Sequence, residues 1–249
     1  MEGALTGKVV LITGAARRVG AAIARRLHGH GANLMLHYHA SERDALALQA
    51  ELNARRAQSA ALVKADLLDT AGLAEIVRNT IARFARVDAL VNNASSFYPT
   101  PLGDISAAQW DDLMGSNLKA PLFLAQAAAP HLKKSGGSIV NIADIHAERP
   151  LRHYVVYSVA KAGLIGLTRS LARELGPDVR VNAVAPGPIL WPEDGSFDAV
   201  SRQRVISHTL LKRVGDPDDI ARAVYYLVAE APYVTGHVLT VDGGRSVSL

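Results

Sequence analysis

Asp144, Tyr157 and Lys161 are the residues in this chain best equipped to do chemistry. Tyr157 and Lys161 bracket the run Tyr-Ser-Val-Ala-Lys, and residues four apart on a helix share one face. An ammonium there pulls a neighbouring phenol's pKa down toward working pH, which makes the Tyr a usable proton donor. Asp144 lies thirteen residues before Tyr157 and narrows the reaction. When hydride adds to a carbonyl, negative charge grows on oxygen, and a hydroxyl at position 144 would donate to it. An ionised Asp cannot donate. At about 4 Å and an effective dielectric of about 20, like charges repel by roughly 4 kcal/mol, about a thousandfold in rate. A C=N bond fits better, because its nitrogen needs a proton after reduction and a carboxyl–phenol pair supplies or orients one. Asp144 raises the phenol while Lys161 lowers it, so the group is expected to titrate as a unit. The plainer alternative for Asp144 is a carboxylate that only caps a loop.

The elements that must position these groups follow from the hydrophobic pattern. Strands are expected at Val9–Ile12, Asn33–His37, Ala60–Val63, Ala89–Asn92, Ser138–Ile142, Val179–Val184 and Val238–Val241. Helical spacing runs over Val19–His28, Ser41–Arg56, Leu73–Phe84 and Val155–Leu175. Another helix follows Asp216, a capping residue with Pro217 at the first helical position. Strands alternating with helices imply a parallel sheet covered on both faces. The expectation is one doubly wound α/β domain of seven strands over 1–249. The stretch 187–208 has weak periodicity and reads either as a substrate lid or as an ordinary surface excursion.

The bulk properties remove several classes. With 249 residues, 49% of them apolar, the chain can bury one sizeable core. A formal charge of +4, well dispersed, suits a solvated surface and anionic ligands, and no basic stripe interleaved with aromatics suggests nucleic acid. Cysteine is absent, which excludes disulfides and thiolate metal sites, and no His-Glu-x-x-His pattern suggests a metal. No run of about 18 apolar residues predicts a membrane span. The start, Met1 to Lys8, has no basic head with an apolar stretch, so no signal peptide and a cytoplasmic location are expected.

The first strand runs into Thr13-Gly14-Ala15-Ala16-Arg17-Arg18-Val19-Gly20. A glycine-containing turn from strand to helix brings backbone N–H groups to a pyrophosphate. The second strand ends in His37-Tyr38-His39-Ala40-Ser41, with no carboxylate until Glu42. NAD sites usually place an acid there; donors without one, with Arg17 and Arg18 nearby, suit a 2′-phosphate and predict NADPH over NADH. Asp66-Leu67 after strand three and Asn93-Ala94 after strand four either hold the adenine and the cofactor's middle or cap loops.

Together these positions resemble the short-chain dehydrogenase/reductase family, whose marks here are Thr13-Gly14 to Gly20, Asn92-Asn93-Ala94, Asn117, Tyr157-x-x-x-Lys161 and Asn182 to Pro186-Gly187. The resemblance implies a Rossmann-type domain, a homotetramer, hydride transfer beside Tyr157, and Pro186, Gly187 and Ile189 on the cofactor. It also implies that Asn117 helps hold a relay water, although by type it could equally be a helix-end hydrogen bonder. The usual pattern has Gly at positions 18 and 95 and Ser at 144; here stand Arg18, Ser95 and Asp144. Those departures are similar to a pteridine reductase subgroup. There the Arg bonds cofactor phosphate and pterin, the aromatic at Phe97 stacks on the pterin, Ser95 bonds both, and Asp144 works beside Tyr157. Leu190 and Trp191 would close over the ligand, or Trp191 would pack on a neighbouring subunit. The resemblance implies NADPH-dependent reduction of a pterin or folate ring. The rivals are a carbonyl reductase of 3-oxoacyl thioesters and an NADP-binding sensor without turnover.

Overall fold

The computed structural model describes residues 3–191 and 198–248. Its strands are β1 (Val9–Ile12), β2 (Asn33–Tyr38), β3 (Ala60–Lys64), β4 (Ala89–Asn92), β5 (Ser138–Ile142), β6 (Arg180–Pro186) and β7 (Val238–Val241). They pair in parallel in the order β3-β2-β1-β4-β5-β6-β7. Strand order reverses direction beside β1, so a crevice opens where the connections from β1 and β4 part at their C-terminal ends. β1, β4 and β5 are buried at every position, which explains their continuous apolar runs.

Parallel strands need crossovers, and the crossover helices pack on both faces. On one face α1 (Arg18–Gly29), α2 (Glu42–Arg55) and α8 (Pro217–Tyr225) bury Ile23, Leu27, Leu48, Leu52, Ile220 and Val224. On the other, α3 (Leu73–Phe84), α5 (Ala120–Ser135) and α6 (Val155–Leu175) bury Ile76, Val77, Leu124, Leu132, Ala172 and Leu175. The buried stripe of α6 includes Tyr157, Lys161, Leu164 and Thr168, the three- and four-residue spacing of a helix face.

The sequence pattern leaves no element assigned between β4 and β5, yet α4 (Ala107–Met114) and α5 lie there. Ser106 starts α4 with a capping box to Gln109, and a π-helical turn, Gly115–Lys119, joins it to α5. Pro130 inside α5 masks the helical pattern. β6 extends past Val184 to Pro186 by pairing with β7; its pairing with β5 stops at Val184, so the missing proline N–H costs no bond on that side. Within the expected lid, α7 (Ala199–Ser207) buries none of its residues; 192–197 lie outside the described residues. No helix among the described residues is long and apolar enough to cross a membrane.

Asn141 at the end of β5 is fully buried. Its carbonyl oxygen accepts from Asn92 Nδ2 at 2.8 Å, and its Nδ2 donates to Thr168 Oγ1 at 2.9 Å. This chain of amides ties β4, β5 and α6 together, with Thr168 about three turns along α6 from Tyr157. Replacing Thr168 by Val removes the acceptor and leaves a buried amide N–H unpaired, which should cost about 1–3 kcal/mol. Urea unfolding checks this: the midpoint should fall at unchanged slope, and an unaltered midpoint would show that the bond adds nothing.

Candidate active site

The C-terminal ends of β1 to β6 and the turn after β7 line one cleft of about 820 Å³. At its floor the Thr13 hydroxyl accepts the N–H groups of Asn93 and Ala94, at 2.9 and 3.1 Å. Asn93 Nδ2 donates back to the carbonyls of Thr13 and Gly14. These bonds fix the exits of β1 and β4 against each other. Gly14 has φ +60°, and a Cβ there would lie 2.9 Å from Ala94 Cα; one at Gly20 would lie 2.2 Å from the Gly14 carbonyl oxygen. Only glycine allows that approach, and it brings the N-terminus of α1 to the cleft. Arg17, Arg18, Val19 and Gly20 line the wall, and the first turn of α1 has no acid, so its dipole favours an anion.

Arg18 stands in the left-handed region, φ +54°, which costs a non-glycine residue about 1–2 kcal/mol. Its guanidinium reaches across the cleft, donating to the carbonyls of Leu190 and Trp191 at 3.3 and 3.0 Å. The Trp191 ring lies under the Arg202 guanidinium, 5.5 Å away. Pro186, Gly187 and Ile189 follow on the same wall; a Cβ at Gly187 would lie 2.5 Å from Asp242 Cβ, so glycine lets the β6 and β7 exits close up.

His37 also lines this end of the cleft, with its side chain buried and both ring nitrogens engaged. Nδ1 accepts from the Gly14 N–H at 3.2 Å, which leaves the proton on Nε2, 3.2 Å from the Ala65 carbonyl. Burial, countered by the Ala65 carbonyl, pushes its pKa down to about 4, so a neutral His37 pins the glycine turn and offers no charge to a phosphate. Tyr38, His39 and Ser41 remain on the cleft wall, with the Tyr38 hydroxyl donating to Glu42 at 3.2 Å. Asp66 and Leu67 line the same end, and Asp66 also caps its loop by accepting from the Leu68 N–H at 2.9 Å.

On the opposite wall the turn after β5 presents Asp144. One carboxylate oxygen accepts the His146 N–H at 2.8 Å, and the other accepts the Tyr157 hydroxyl at 2.7 Å. Loop capping and pairing with the phenol thus use separate oxygens. Lys161, buried, donates from Nζ to the Ile142 carbonyl at 2.8 Å and lies 5.6 Å from the Tyr157 ring centroid. The expected lowering of the phenol does not hold here: burial first, then the Asp144 charge, drives Tyr157 well above the usual tyrosine value. Burial also lowers Lys161 to about 8, against the pull of Asp144.

Asn117, in the π-turn, is by its side chain a joint between the loop after β4 and α4. Its amide nitrogen donates to the Ser96 and Leu113 carbonyls at 3.0 and 2.9 Å, and its oxygen accepts from Ser95 Oγ at 2.6 Å. This holds the Ser95–Pro99 loop against the end of α4. Phe97, on that loop, stacks on Tyr154 with centroids 4.6 Å apart and meets the Tyr157 ring edge-on at 4.8 Å. One face of Phe97 is thereby covered, and the residue lines the cleft. Sequence reasoning missed Asp112, which accepts from Ser96 Oγ at 3.2 Å and from the Tyr98 hydroxyl at 2.7 Å; no motif marks it. It also missed His146, Leu151, Val205 and Arg245 on the cleft wall. Arg245 was findable, because it follows the Gly243-Gly244 turn at the end of the last strand. Among the described residues no cluster of His, Cys, Asp and Glu could hold a metal.

The sheet order, the glycine turn into α1 and the Tyr–Lys face of α6 define a Rossmann-type α/β protein with its site at the carboxyl ends of the strands. A family model described as enoyl-(acyl carrier protein) reductase matches residues 14–246, and the chain belongs to the short-chain dehydrogenase/reductase family. It is similar to pteridine reductase 1 of Leishmania tarentolae, with 39% identity over 98% of each chain. It is also similar to a 3-oxoacyl-[acyl-carrier-protein] reductase of Staphylococcus epidermidis, 33% identical over 95% of this chain and 98% of that protein. The crystal structure of a blue fluorescent protein from a metagenomic library, in complex with NADPH, matches with a TM-score of 0.91. Identity there is 37%, over 97% of this chain and 98% of that one.

Two titrations test the electrostatics. Asp144→Asn removes the neighbouring charge, so the Tyr157 phenol should titrate at lower pH than in the parent. The tyrosinate absorbance difference from a Tyr157→Phe protein reads this, and no downward shift would exclude the carboxylate as a cause. His28, buried and bonded to Ser59 Oγ at 2.7 Å, is like His37 lowered to about 4, chiefly by burial. Both sit below their unfolded value, so the unfolded chain binds more protons between pH 6.5 and 4. Stability should be full above that window and fall as pH drops through it. The fall in thermal midpoint should shrink in His28→Gln and His37→Gln proteins; an unchanged fall would mean other groups control it.

Proposed function

We propose that this NADPH-dependent reductase acts on a ring C=N bond of a dihydropterin, giving the tetrahydropterin. One observation carries the reading: Tyr157 Oη lies 2.7 Å from an Asp144 oxygen, in a wall that also presents the Phe97 ring. The cleft fits the cofactor, since it pairs a glycine cradle and an acid-free helix N-terminus with Arg17, Arg18, His39 and Ser41 for the phosphates. Asp66 and Leu67 would hold the adenine, Asn93 and Ala94 the middle, Lys161 the ribose, and Pro186, Gly187 and Ile189 the nicotinamide end. Bound there, NADPH supplies the hydride.

The protein's own groups handle the ring and the proton. Phe97 offers an apolar face to a flat bicycle, while Arg18 and Ser95 bond its polar edge. The raised pKa of Tyr157 keeps its hydroxyl protonated, so a proton is always present at Oη. That proton rests on the bond to Asp144 and passes to the ring nitrogen as hydride adds, while the carboxylate accepts from the N–H and amino groups that a pterin presents. Lys161 offsets the phenolate charge left once the proton has gone. The reading includes the homotetramer that the resemblance implies. The second reading is reduction of a 3-oxoacyl thioester, favoured by the match to a 3-oxoacyl-[acyl-carrier-protein] reductase over nearly the whole chain. Asp144 counts against it, because a carboxylate cannot donate to a growing alkoxide.

NADPH oxidation with dihydrobiopterin, dihydromonapterin, dihydrofolate and a set of ketones decides between the two. Turnover of the dihydropterins and not of the ketones is expected, and the reverse would overturn the proposal. Asp144→Ser should lower dihydropterin turnover by about a hundredfold or more with NADPH affinity retained. Equal turnover would remove Asp144 from the mechanism, and tighter binding of NADH than NADPH would remove the phosphate reading of the second strand.

A further inference from the structure

Arg245 opens α9 (Arg245–Ser248) immediately after the Gly243-Gly244 turn and lines the same cleft as Tyr157. The turn is rigidly built. Both glycines have positive φ, +62° and +80°, and a Cβ at Gly243 or Gly244 would come within 2.8 or 2.7 Å of Thr209 or Leu210. The Leu211 N–H donates to the Gly243 carbonyl at 3.0 Å. Asp242 spends its carboxylate on the turn itself, accepting the N–H groups of Gly244 and Ser246 at 2.8 and 2.7 Å. The neighbouring guanidinium therefore lacks an ion-pair partner among the described residues. It makes one hydrogen bond there, from Nη1 to the Val205 carbonyl at 3.0 Å. An arginine carries five N–H donors in a fixed fork, so this half-buried cation faces the cleft with most of its donors uncommitted.

The sheet sets its distance from the chemistry. Ile142 is level with Val184 and Leu239, so β6 and β7 run two residues past the end of β5, and the end of β7 at Val241 stands at the height of Asp144, two residues after Ile142. Two strand spacings separate β5 from β7, about 10 Å. That exceeds the width of a bicyclic ring seated beside Asp144 and matches the reach of a substituent on it.

We infer that Arg245 is a specificity residue that binds an anionic group on the substrate's side chain, a phosphate or a carboxylate, while the ring sits against Phe97. Planar bidentate pairing with a carboxylate or phosphate is what a guanidinium does best. The inference rests on the proposed reading of the cleft as a dihydropterin site and adds which pterins it favours. The phosphate would come from a phosphorylated hydroxyalkyl side chain, the carboxylate from a glutamate tail.

The test is kcat/KM with NADPH for three substrates: neutral dihydrobiopterin, dihydroneopterin monophosphate and dihydrofolate. Each is measured on the full-length parent, Arg245→Met and Arg245→Lys. The expected result is that Arg245→Met lowers at least one anionic substrate roughly tenfold or more beyond its effect on dihydrobiopterin, mainly through KM. Arg245→Lys should recover part of that loss, and added salt should weaken the preference. Whichever anionic substrate responds identifies the source of the anion. Equal losses on all three substrates would show that Arg245 only steadies α7 through Val205, and would overturn the inference while leaving the dihydropterin reading intact. Failure of the parent to turn over any of the three would overturn both.

Discussion

A phenol hydroxyl donated to a carboxylate on the wall of the cleft is the constraint that organises this protein. Neither partner could be kept in that state by the residues beside it in sequence. Tyr157 needs α6 packed flat on the sheet, and Asp144 needs β5 to end where it does, with the His146 N–H holding its second oxygen. Lys161 must then be buried one turn on, aimed at the Ile142 carbonyl, so that a positive charge stands close without displacing the hydroxyl. The amide chain through Asn92, Asn141 and Thr168 keeps these elements at fixed height. A low local dielectric strengthens every one of these contacts and penalises each unpaired group, so the arrangement holds as a whole.

Much of this was legible in the residues. The strands are short runs of β-branched and apolar side chains with turn residues at their ends, and α6 carries an unbroken helical stripe. Elements of that kind declare themselves, since burial on both faces leaves few polar residues to interrupt them. The helices between β4 and β5 did not, because Pro130 sits inside one and a π-turn breaks the register of the other. The site divides in the same way. Tyr157, Lys161, Asp144 and Phe97 come together as expected, being fixed by spacing along one helix and by position at strand ends. His37 was only half legible, because a histidine at a strand end looks alike whether its nitrogens face a ligand or a backbone. Asp112 was invisible because its partners, Ser96 and Tyr98, are brought to it only by folding.

The direction of the Tyr157 shift shows how composition can mislead when geometry is lacking. A lysine four residues away on the same helix face argues for a more acidic phenol. In the folded chain that lysine is directed to a carbonyl, and the carboxylate takes the direct bond. Distance decides between the two charges. A 3-oxoacyl-[acyl-carrier-protein] reductase and a pteridine reductase each match nearly the whole of this chain, so the fold itself does not choose the substrate. The choice lies with a few side chains at the strand ends.

The strand order has a consequence for how the molecule comes into being. β1 lies mid-sheet between β2 and β4, so the first strand of the chain stays half-paired until the residues that build β4 have arrived and found it. The cleft then draws on the exits of β5, β6 and β7 as well. Contacts so distant along the chain form slowly, because loop closure must precede any gain from them. No early fragment holds a working subset of the site: the cradle of β1 is finished only by Asn93 and Ala94, and the far wall only by the turn after the last strand. The catalytic apparatus is therefore assembled last and all at once, as a property of the completed sheet.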